Sequence, residues 1–103
     1  MVRMSVMYPA TVGSHFEWQY YLGPHIDLAK RLLTPLGLAR IEIDRGVGGF
    51  PPGTAAPYHA VGHLFFPSLV ELQAAMSETA AALIADQQKY TNVQCEILIS
   101  EVV

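Results

Sequence analysis

Four segments of the chain alternate hydrophobic and polar residues, which is the pattern of a β-strand with one buried face. They are Val2–Tyr8, Leu38–Arg45, Tyr58–Phe66 and Val93–Val102. The second and third are separated by Gly46–Pro57, whose four glycines and three prolines predict a loop.

A helical pattern follows the first strand. Ser14 and Glu17 match a capping box, in which a serine hydroxyl and a glutamate carboxylate satisfy backbone amides at a helix start. The predicted helix continues to about Leu33. Pro24 lies inside it and cannot donate a backbone hydrogen bond, so we expect a kink there.

A second helical pattern follows the third strand. Ser68 and Glu71 repeat the capping-box spacing. The apolar residues after Ser68 recur at helical intervals: Leu69, Leu72, Met76, Ala80 and Leu83. The element order is therefore β-α-β-β-α-β, which predicts one ferredoxin-like α+β domain over residues 1–103. In this arrangement both helices cover one face of a four-stranded antiparallel sheet.

The opposite face of the predicted sheet has no helix to cover it. Alternation places a mixed set of polar and apolar side chains on that face: Arg3, Ser5, Met7, Arg40, Glu42, Asp44, His59, Val61, His63 and Phe65. We expect this face to form a homodimer. Two such sheets packed face to face would give a barrel that spans the dimer.

Composition supports self-association and argues against other macromolecular partners. The 103 residues are 51% hydrophobic but only 15% charged, against a usual charged fraction of roughly 25%. So much apolar surface on a small domain favours a second subunit. The net charge of −3 and the scattered basic residues argue against nucleic-acid binding and membrane docking.

Cofactor and metal signals are missing from the sequence. Cys95 is the only cysteine and is expected to be a small buried hydrophobe. His59 and His63 lie four residues apart on a predicted strand, about 13 Å in extended chain, which is too far for one metal ion. No nucleotide or phosphate-loop fingerprint is present, and Ser5 has no acid–base partner nearby in sequence. We therefore expect neither a metal nor a cofactor.

No signal peptide and no apolar stretch of roughly 20 residues is visible in the sequence. A soluble, cytoplasmic protein is the expectation that follows.

The first helix carries an unusual apolar stripe. Trp18, Tyr21, His25, Leu28 and Leu32 follow one another at offsets of three and four residues, so they are predicted to share one face. A core-facing stripe is normally aliphatic, whereas this one holds aromatic rings and an imidazole. The pattern indicates a pocket between this helix and the sheet.

His25 is the leading candidate for chemistry, because an imidazole can act as a general acid or base near neutral pH. The alternative is a core histidine hydrogen-bonded to the backbone or to a tyrosine. His63 is a second candidate because it follows Gly62, where a ligand or helix could approach the strand closely. Strict alternation, however, places His63 on the open face, and only a β-bulge would turn it toward the pocket.

The chain resembles the EthD-like family, named after an ethyl tert-butyl ether degradation protein, within the dimeric α+β barrel superfamily. The resemblance rests on Phe16, Tyr20-Tyr21, His25, Leu36-Gly37-Leu38 and Gly62-His63-Leu64-Phe65-Phe66. It covers nearly the whole chain, including the closing Tyr90-Thr91-Asn92 and Ile99-Ser100-Glu101. Gly23-Pro24 departs from the family pattern. The resemblance implies a dimeric barrel with a small-molecule pocket in each subunit, between its helices and its sheet.

By position, the resemblance makes His25 the family's helix histidine, and Tyr21 and Phe16 part of its aromatic wall. The family implies a small hydrophobic or aromatic metabolite of degradation or secondary metabolism. Members and neighbours include reductase-labelled proteins, monooxygenases, dehydratases and decarboxylases.

Three interpretations remain open. In the first, a cofactor-independent enzyme uses His25, Tyr21 and His63. In the second, a non-catalytic accessory protein only binds the ligand. In the third there is no ligand, and the histidine is simply buried. Phe16, Trp18, Tyr20 and Leu28 are the expected pocket-lining residues, with an ordinary core role for the aromatic ones as the alternative.

Overall fold

Four antiparallel strands and two helical segments make up the protein. The computed structural model describes residues 1–103. In chain order the elements are β1 (Val2–Pro9), α1 (Trp18–Tyr20), a π turn (Tyr21–His25), α2 (Ile26–Leu33), a 3₁₀ turn (Thr34–Leu36), β2 (Arg40–Arg45), β3 (Tyr58–Phe66), α3 (Leu69–Gln87) and β4 (Glu96–Glu101).

The strands form one sheet in the order β2-β3-β1-β4, with every neighbouring pair antiparallel. Each helical segment connects two strands that are consecutive in the chain but are not neighbours in the sheet, β1 with β2 and β3 with β4. This is the ferredoxin-like α+β arrangement, and the predicted fold class is confirmed. β3 has its predicted limits, whereas β2 begins at Arg40 and β4 at Glu96, later than the alternation indicated.

The two faces of the sheet differ as the alternation predicts. Met4, Leu64 and Phe66 face the helices and pack with Leu33 and Leu72 in one buried cluster. Burial of these side chains supplies the main driving force for closing the helices onto the sheet, about 25 cal/mol per Å² of apolar surface. A second cluster at the other end of the inner face is built from tyrosines: Tyr8, Tyr21 and Tyr90, together with Ala60.

The predicted capping box at the first helix is wrong. The helix begins at Trp18, and its cap residue Glu17 makes no side-chain cap bond. The Ser14 hydroxyl instead donates to the Thr11 carbonyl over 2.6 Å in the preceding turn. Phe16 forms an isolated β-bridge with Thr91. This extended pairing delays the helix by one turn.

The irregularity expected at Pro24 takes the form of a π turn. Pro24 has no N–H group to continue the normal helical bonding, and the Ile26 N–H reaches five residues back to the Tyr21 carbonyl. The wider turn rotates the helix that follows it. Its buried residues are Ala29 and Leu33, so the predicted inward stripe through Leu28 and Leu32 is wrong, and both are only half-buried.

The second helical segment, α3, begins where the sequence predicts. The Ser68 hydroxyl accepts a hydrogen bond from the Glu71 N–H over 3.2 Å, which caps α3.

The 3₁₀ turn ahead of β2 ends at Gly37, whose φ of 108° is one that side-chain-bearing residues rarely adopt. None of the helices combines the length and apolar character needed to cross a membrane.

Substitutions of Leu33 and Leu32 test which side of α2 faces the core. Leu33→Ala should lower the free energy of unfolding by about 2–5 kcal/mol, because it empties a fully buried site. Leu32→Ala should cost less, since Leu32 is half-buried. Chemical denaturation of the two variants measures the difference. A larger loss of unfolding free energy for Leu32→Ala would indicate a regular α-helix without the π turn, in which Leu32 faces the core.

Candidate functional site

A cavity of about 520 Å³ lies between the inner face of the sheet and the helices. Hydrophobic residues supply 17 of its 22 lining positions. The polar side chains on its wall, apart from tyrosine hydroxyls, are His25, Gln73, Ser77 and Gln87. Neither a lysine nor an arginine lines it, and no carboxylate does. The cavity therefore suits an uncharged, mostly apolar molecule.

Each element contributes to the cavity through its inward positions. Val6 and Tyr8 come from β1, Ile43 from β2 and Ile97 from β4. Because side chains on a strand alternate between faces, these residues all point to the side of the sheet that the helices cover. The opposite wall is α3, which contributes Leu72, Met76, Ala80, Leu83 and Ile84 among others.

Gly62 has a specific role in the floor of the cavity. A Cβ atom at this position would lie 2.5 Å from the Tyr21 hydroxyl oxygen. The missing side chain thus makes room for the hydroxyl of Tyr21, which comes from the helix. The group that approaches the strand closely at Gly62 is therefore the Tyr21 side chain of the helix and not a ligand.

The π turn holds Tyr21 and His25 side by side on the cavity wall. Their rings are stacked, with centroids 5.7 Å apart and planes inclined by 18°. Both side chains are buried and both line the cavity. Single π turns recur at functional sites, because the added residue redirects side chains that a regular helix would not align.

His25 is hydrogen-bonded through both of its ring nitrogens. Its Nδ1 lies 2.9 Å from Asp86 Oδ2, and its Nε2 lies 3.2 Å from the Tyr90 hydroxyl. The two side chains of the His25–Asp86 pair are only 8% and 10% exposed. A buried carboxylate is costly unless it is paired and hydrogen-bonded, and here that requirement is met.

Asp86 is held in its charged form. Burial acts to raise the pKa of this carboxyl, but the hydrogen bonds from His25 and Tyr20 outweigh burial and lower the pKa below its usual value. The Tyr20 hydroxyl donates to Oδ1 over 2.9 Å, and Lys89 Nζ lies 3.7 Å from the same oxygen. Since an ionised carboxylate can only accept, His25 Nδ1 carries the hydrogen of that bond.

The polar contacts extend from His25 into the tyrosine cluster. The hydroxyls of Tyr90 and Tyr8 lie 2.7 Å apart. Burial raises the pKa of Tyr8, Tyr21 and Tyr90, so these hydroxyls stay protonated. The result is a continuous hydrogen-bonded series, Asp86–His25–Tyr90–Tyr8, that ends at the cavity wall.

Of the predicted site residues, the structure brings His25 and Tyr21 together at the cavity and places the predicted lining residues elsewhere. Phe16 packs behind the wall against Tyr8 and Tyr21. Trp18 packs on Phe16, and the Arg45 guanidinium lies over its ring. Tyr20 points its hydroxyl at Asp86. Leu28 is turned from the cavity by the π turn. None of these four lines the cavity.

His63 lies on the open face of the sheet, away from the cavity. The pairing of β1 with β3 continues through it without a bulge, so alternation alone fixes its side. Its Nδ1 lies 2.8 Å from the Ser5 hydroxyl, and its Nε2 lies 2.8 Å from Asp44 Oδ2. Ser5 therefore has an imidazole neighbour that its sequence surroundings did not reveal.

Sequence reasoning missed Asp86, Tyr90 and Tyr8. One signal could have found Asp86, since it continues the apolar stripe of α3 at helical spacing from Thr79 and Leu83. A carboxylate on an apolar stripe needs a buried partner, and His25 is that partner. Tyr90 follows α3 and carried no comparable signal.

The structure contains no cluster of three or more histidine, cysteine or carboxylate side chains suited to a metal ion.

Comparison with known proteins identifies a family match. The sequence model of the EthD domain matches residues 14–94. An EthD-like protein from Ralstonia eutropha is 29% identical with a TM-score of 0.90, over 99% of this chain and 91% of that one. An ethyl tert-butyl ether degradation (EthD) family protein from Bacillus halodurans is 20% identical with a TM-score of 0.78, over 100% and 99%.

A weaker likeness extends to a dimeric ferredoxin-like protein from an uncultured marine organism. It is 14% identical with a TM-score of 0.53, over 100% of this chain and 95% of that one. At this identity the likeness concerns the fold alone. No curated protein matches the chain.

The tyrosine cluster predicts an alkaline limit to stability. Above a pH of about 10 the unfolded chain releases tyrosine protons that the buried hydroxyls of the folded chain retain. The free energy of unfolding should therefore fall as the pH rises beyond that point. In an alkaline titration, the tyrosinate absorbance of these three of the five tyrosines should appear only together with loss of the circular dichroism signal. Ionisation of Tyr8, Tyr21 and Tyr90 in a protein that keeps its native circular dichroism would contradict their burial.

Proposed function

The chain belongs to the EthD domain family, and from that premise we propose that it binds a small hydrophobic or aromatic metabolite in the cavity between its sheet and helices. The observation that carries the proposal is the cavity itself, about 520 Å³ of mostly apolar space. Small-molecule pockets occupy roughly 300–1,000 Å³ and combine apolar walls with a few placed polar groups. The polar groups here are His25, the hydroxyls of Tyr8 and Tyr21, and the side chains of Gln73, Ser77 and Gln87.

We propose further that the chain is a cofactor-independent acid–base enzyme in which His25 handles a proton. The Asp86 carboxylate beside Nδ1 would stabilise the imidazolium formed when His25 accepts that proton. Tyr21, whose ring stacks on His25 and whose hydroxyl is hydrogen-bonded to Tyr8, has the role of orienting the imidazole and the ligand in this proposal. His63 has no place in this proposal, since it faces away from the cavity.

One observation favours a non-catalytic accessory protein as the second candidate. Both nitrogens of His25 already have partners within the chain, Asp86 and Tyr90. A histidine bonded in this way can serve to shape a binding pocket without exchanging protons with its ligand. In this alternative the cavity binds the same kind of small molecule but does not convert it.

Binding is tested with the fluorescent neutral phenol β-naphthol and a matched pair of variants on α3. Ala80 lines the cavity, whereas Ala82 is exposed on the far side of the helix. Ala80→Phe places a ring inside the cavity and should weaken β-naphthol binding by about tenfold or more, roughly 1.4 kcal/mol. Ala82→Phe should bind as the wild type does. Equal affinities for both variants, or no binding by the wild type, would argue against the pocket.

The same titration on His25→Gln, whose amide can still donate a hydrogen bond to Asp86 but which has no basic nitrogen, separates the two candidate functions. A catalytic histidine contributes mainly to proton transfer, so the enzyme proposal predicts β-naphthol affinity close to that of the wild type. An accessory binder would lose affinity, because the imidazole would then act only through the shape and polarity of the pocket.

We propose that the open face of the sheet forms a homodimer. Its apolar side chains include Val61 and Leu98, and Leu98 is 56% exposed in the single chain. The arginines of this face lie over Phe65, with Arg40 only 3.8 Å from the ring centroid. A surface of this mixed character fits an interface with a polar rim. The dimeric ferredoxin-like protein of similar fold supports the same proposal.

Sedimentation velocity tests the dimer with two matched arginine substitutions. The wild-type chain should sediment as a dimer, and Leu98→Arg should make it a monomer by placing a charge in the interface. Val70→Arg puts the same charge on an exposed residue of α3 and should leave the dimer intact. A monomeric wild type, or dissociation caused by Val70→Arg instead, would locate self-association elsewhere or exclude it.

A further inference from the structure

We propose that Asp86, His25, Tyr90 and Tyr8 form a proton relay that connects His25 to the cavity through two tyrosine hydroxyls. The inference rests on the proposed acid–base function and specifies how a proton reaches a histidine whose ring nitrogens are both occupied. It also narrows the ligand to a molecule with a removable proton, either an O–H group or a C–H group next to a carbonyl.

The direction of every hydrogen bond in the relay follows from its buried end. Asp86 is ionised, so its oxygen accepts and His25 Nδ1 donates. In a neutral imidazole with hydrogen on Nδ1, Nε2 can only accept, and the Tyr90 hydroxyl must donate to it. Tyr90 has no second hydrogen, so Tyr8 must donate to the Tyr90 oxygen. The Tyr8 oxygen can then only accept, from the neighbouring Tyr21 hydroxyl and from a bound molecule.

Burial decides which end of the relay meets a ligand. Tyr90 is fully buried and does not line the cavity, whereas Tyr8 and His25 do. The Nε2 atom of His25 is occupied by Tyr90, so a ligand cannot bond to it without displacing that hydroxyl. Tyr8 thus gives a bound molecule the most direct entry to the relay.

One proton transfer moves three hydrogens by one position each. The ligand proton bonds to the Tyr8 oxygen, the Tyr8 hydrogen moves to the Tyr90 oxygen, and the Tyr90 hydrogen moves to His25 Nε2. Both tyrosines end as neutral hydroxyls, the ligand becomes an anion, and His25 becomes an imidazolium beside the Asp86 carboxylate. No electron is gained or lost, and the reverse sequence returns the proton. Because neither tyrosine is left ionised, the transfer is compatible with the raised pKa of Tyr8 and Tyr90.

Asp86 is a positioning residue in this scheme, because it acts only through His25. Without its charge, the imidazole can place its hydrogen on either nitrogen. Hydrogen on Nε2 would point at Tyr90, reverse that bond and interrupt the relay. A fixed Nδ1–H tautomer is therefore what the relay requires of Asp86.

Nitrogen NMR of the imidazole rings tests the tautomer without requiring a ligand. In the wild type, His25 should be in the Nδ1–H form. Asp86→Asn should convert this to a mixture of tautomers, and Tyr90→Phe should shift the Nε2 resonance while leaving Nδ1–H dominant. Asp44→Asn is the matched control, since it removes the carboxylate 2.8 Å from His63 on the other face. It should alter the His63 signals and leave those of His25 unchanged.

A wild-type His25 with hydrogen mainly on Nε2, or an unchanged His25 spectrum in Asp86→Asn, would overturn the relay. If Asp86→Asn does not fold, the wild-type and Tyr90→Phe spectra decide the matter. β-Naphthol titration of the wild type separates this failure from failure of the pocket. Binding with the wrong tautomer would reject the relay alone, while the Nδ1–H tautomer without binding would reject the ligand proposal and leave the relay geometry in place.

Discussion

The buried bond between His25 and Asp86 is the interaction on which the arrangement of this protein depends. It joins the π turn to the far end of α3 across 61 residues of sequence. An unpaired carboxylate in this position would cost several kcal/mol, so the two helical segments must meet where the imidazole and the carboxylate coincide. Tyr20 and Lys89 add to the pairing from the solvent side. The pair also fixes the direction in which the His25 imidazole faces.

That constraint explains why the inner face of the sheet is only partly filled. Protein interiors are normally close-packed, and empty apolar volume is destabilising because its lining atoms lose contacts. Here α3 packs on the leucines at one end and is tied to His25 at the other, and about 520 Å³ of space remains between these points. The cavity is open to solvent at β4, where the lining residue Ile97 is 56% exposed, so a bound ligand would both restore missing contacts and cover apolar surface.

Local patterns in the sequence predict most of the fold and only part of the site. The strands and α3 follow from alternation and from the Ser68 cap, which depend on neighbouring residues. The first helix departs from its pattern because one proline changes its phase, which moves Leu28 out and Ala29 in. His25 and Tyr21 stand out from their stripe, whereas Tyr90 becomes relevant only when the fold brings it to His25. Long-range pairings of this kind have no local signature.

The most direct test of this central role is a double-mutant cycle between His25→Ala and Asp86→Ala, with free energies of unfolding measured for all four proteins. Residues coupled through a buried hydrogen-bonded pair show interaction energies of about 0.5–3 kcal/mol. We expect a coupling in the upper part of that range, with the double variant much less destabilised than the sum of the single ones. Losses that add to within about 0.3–0.5 kcal/mol would mean that the two residues act independently. In that case the pair would not be what holds the helices over the cavity.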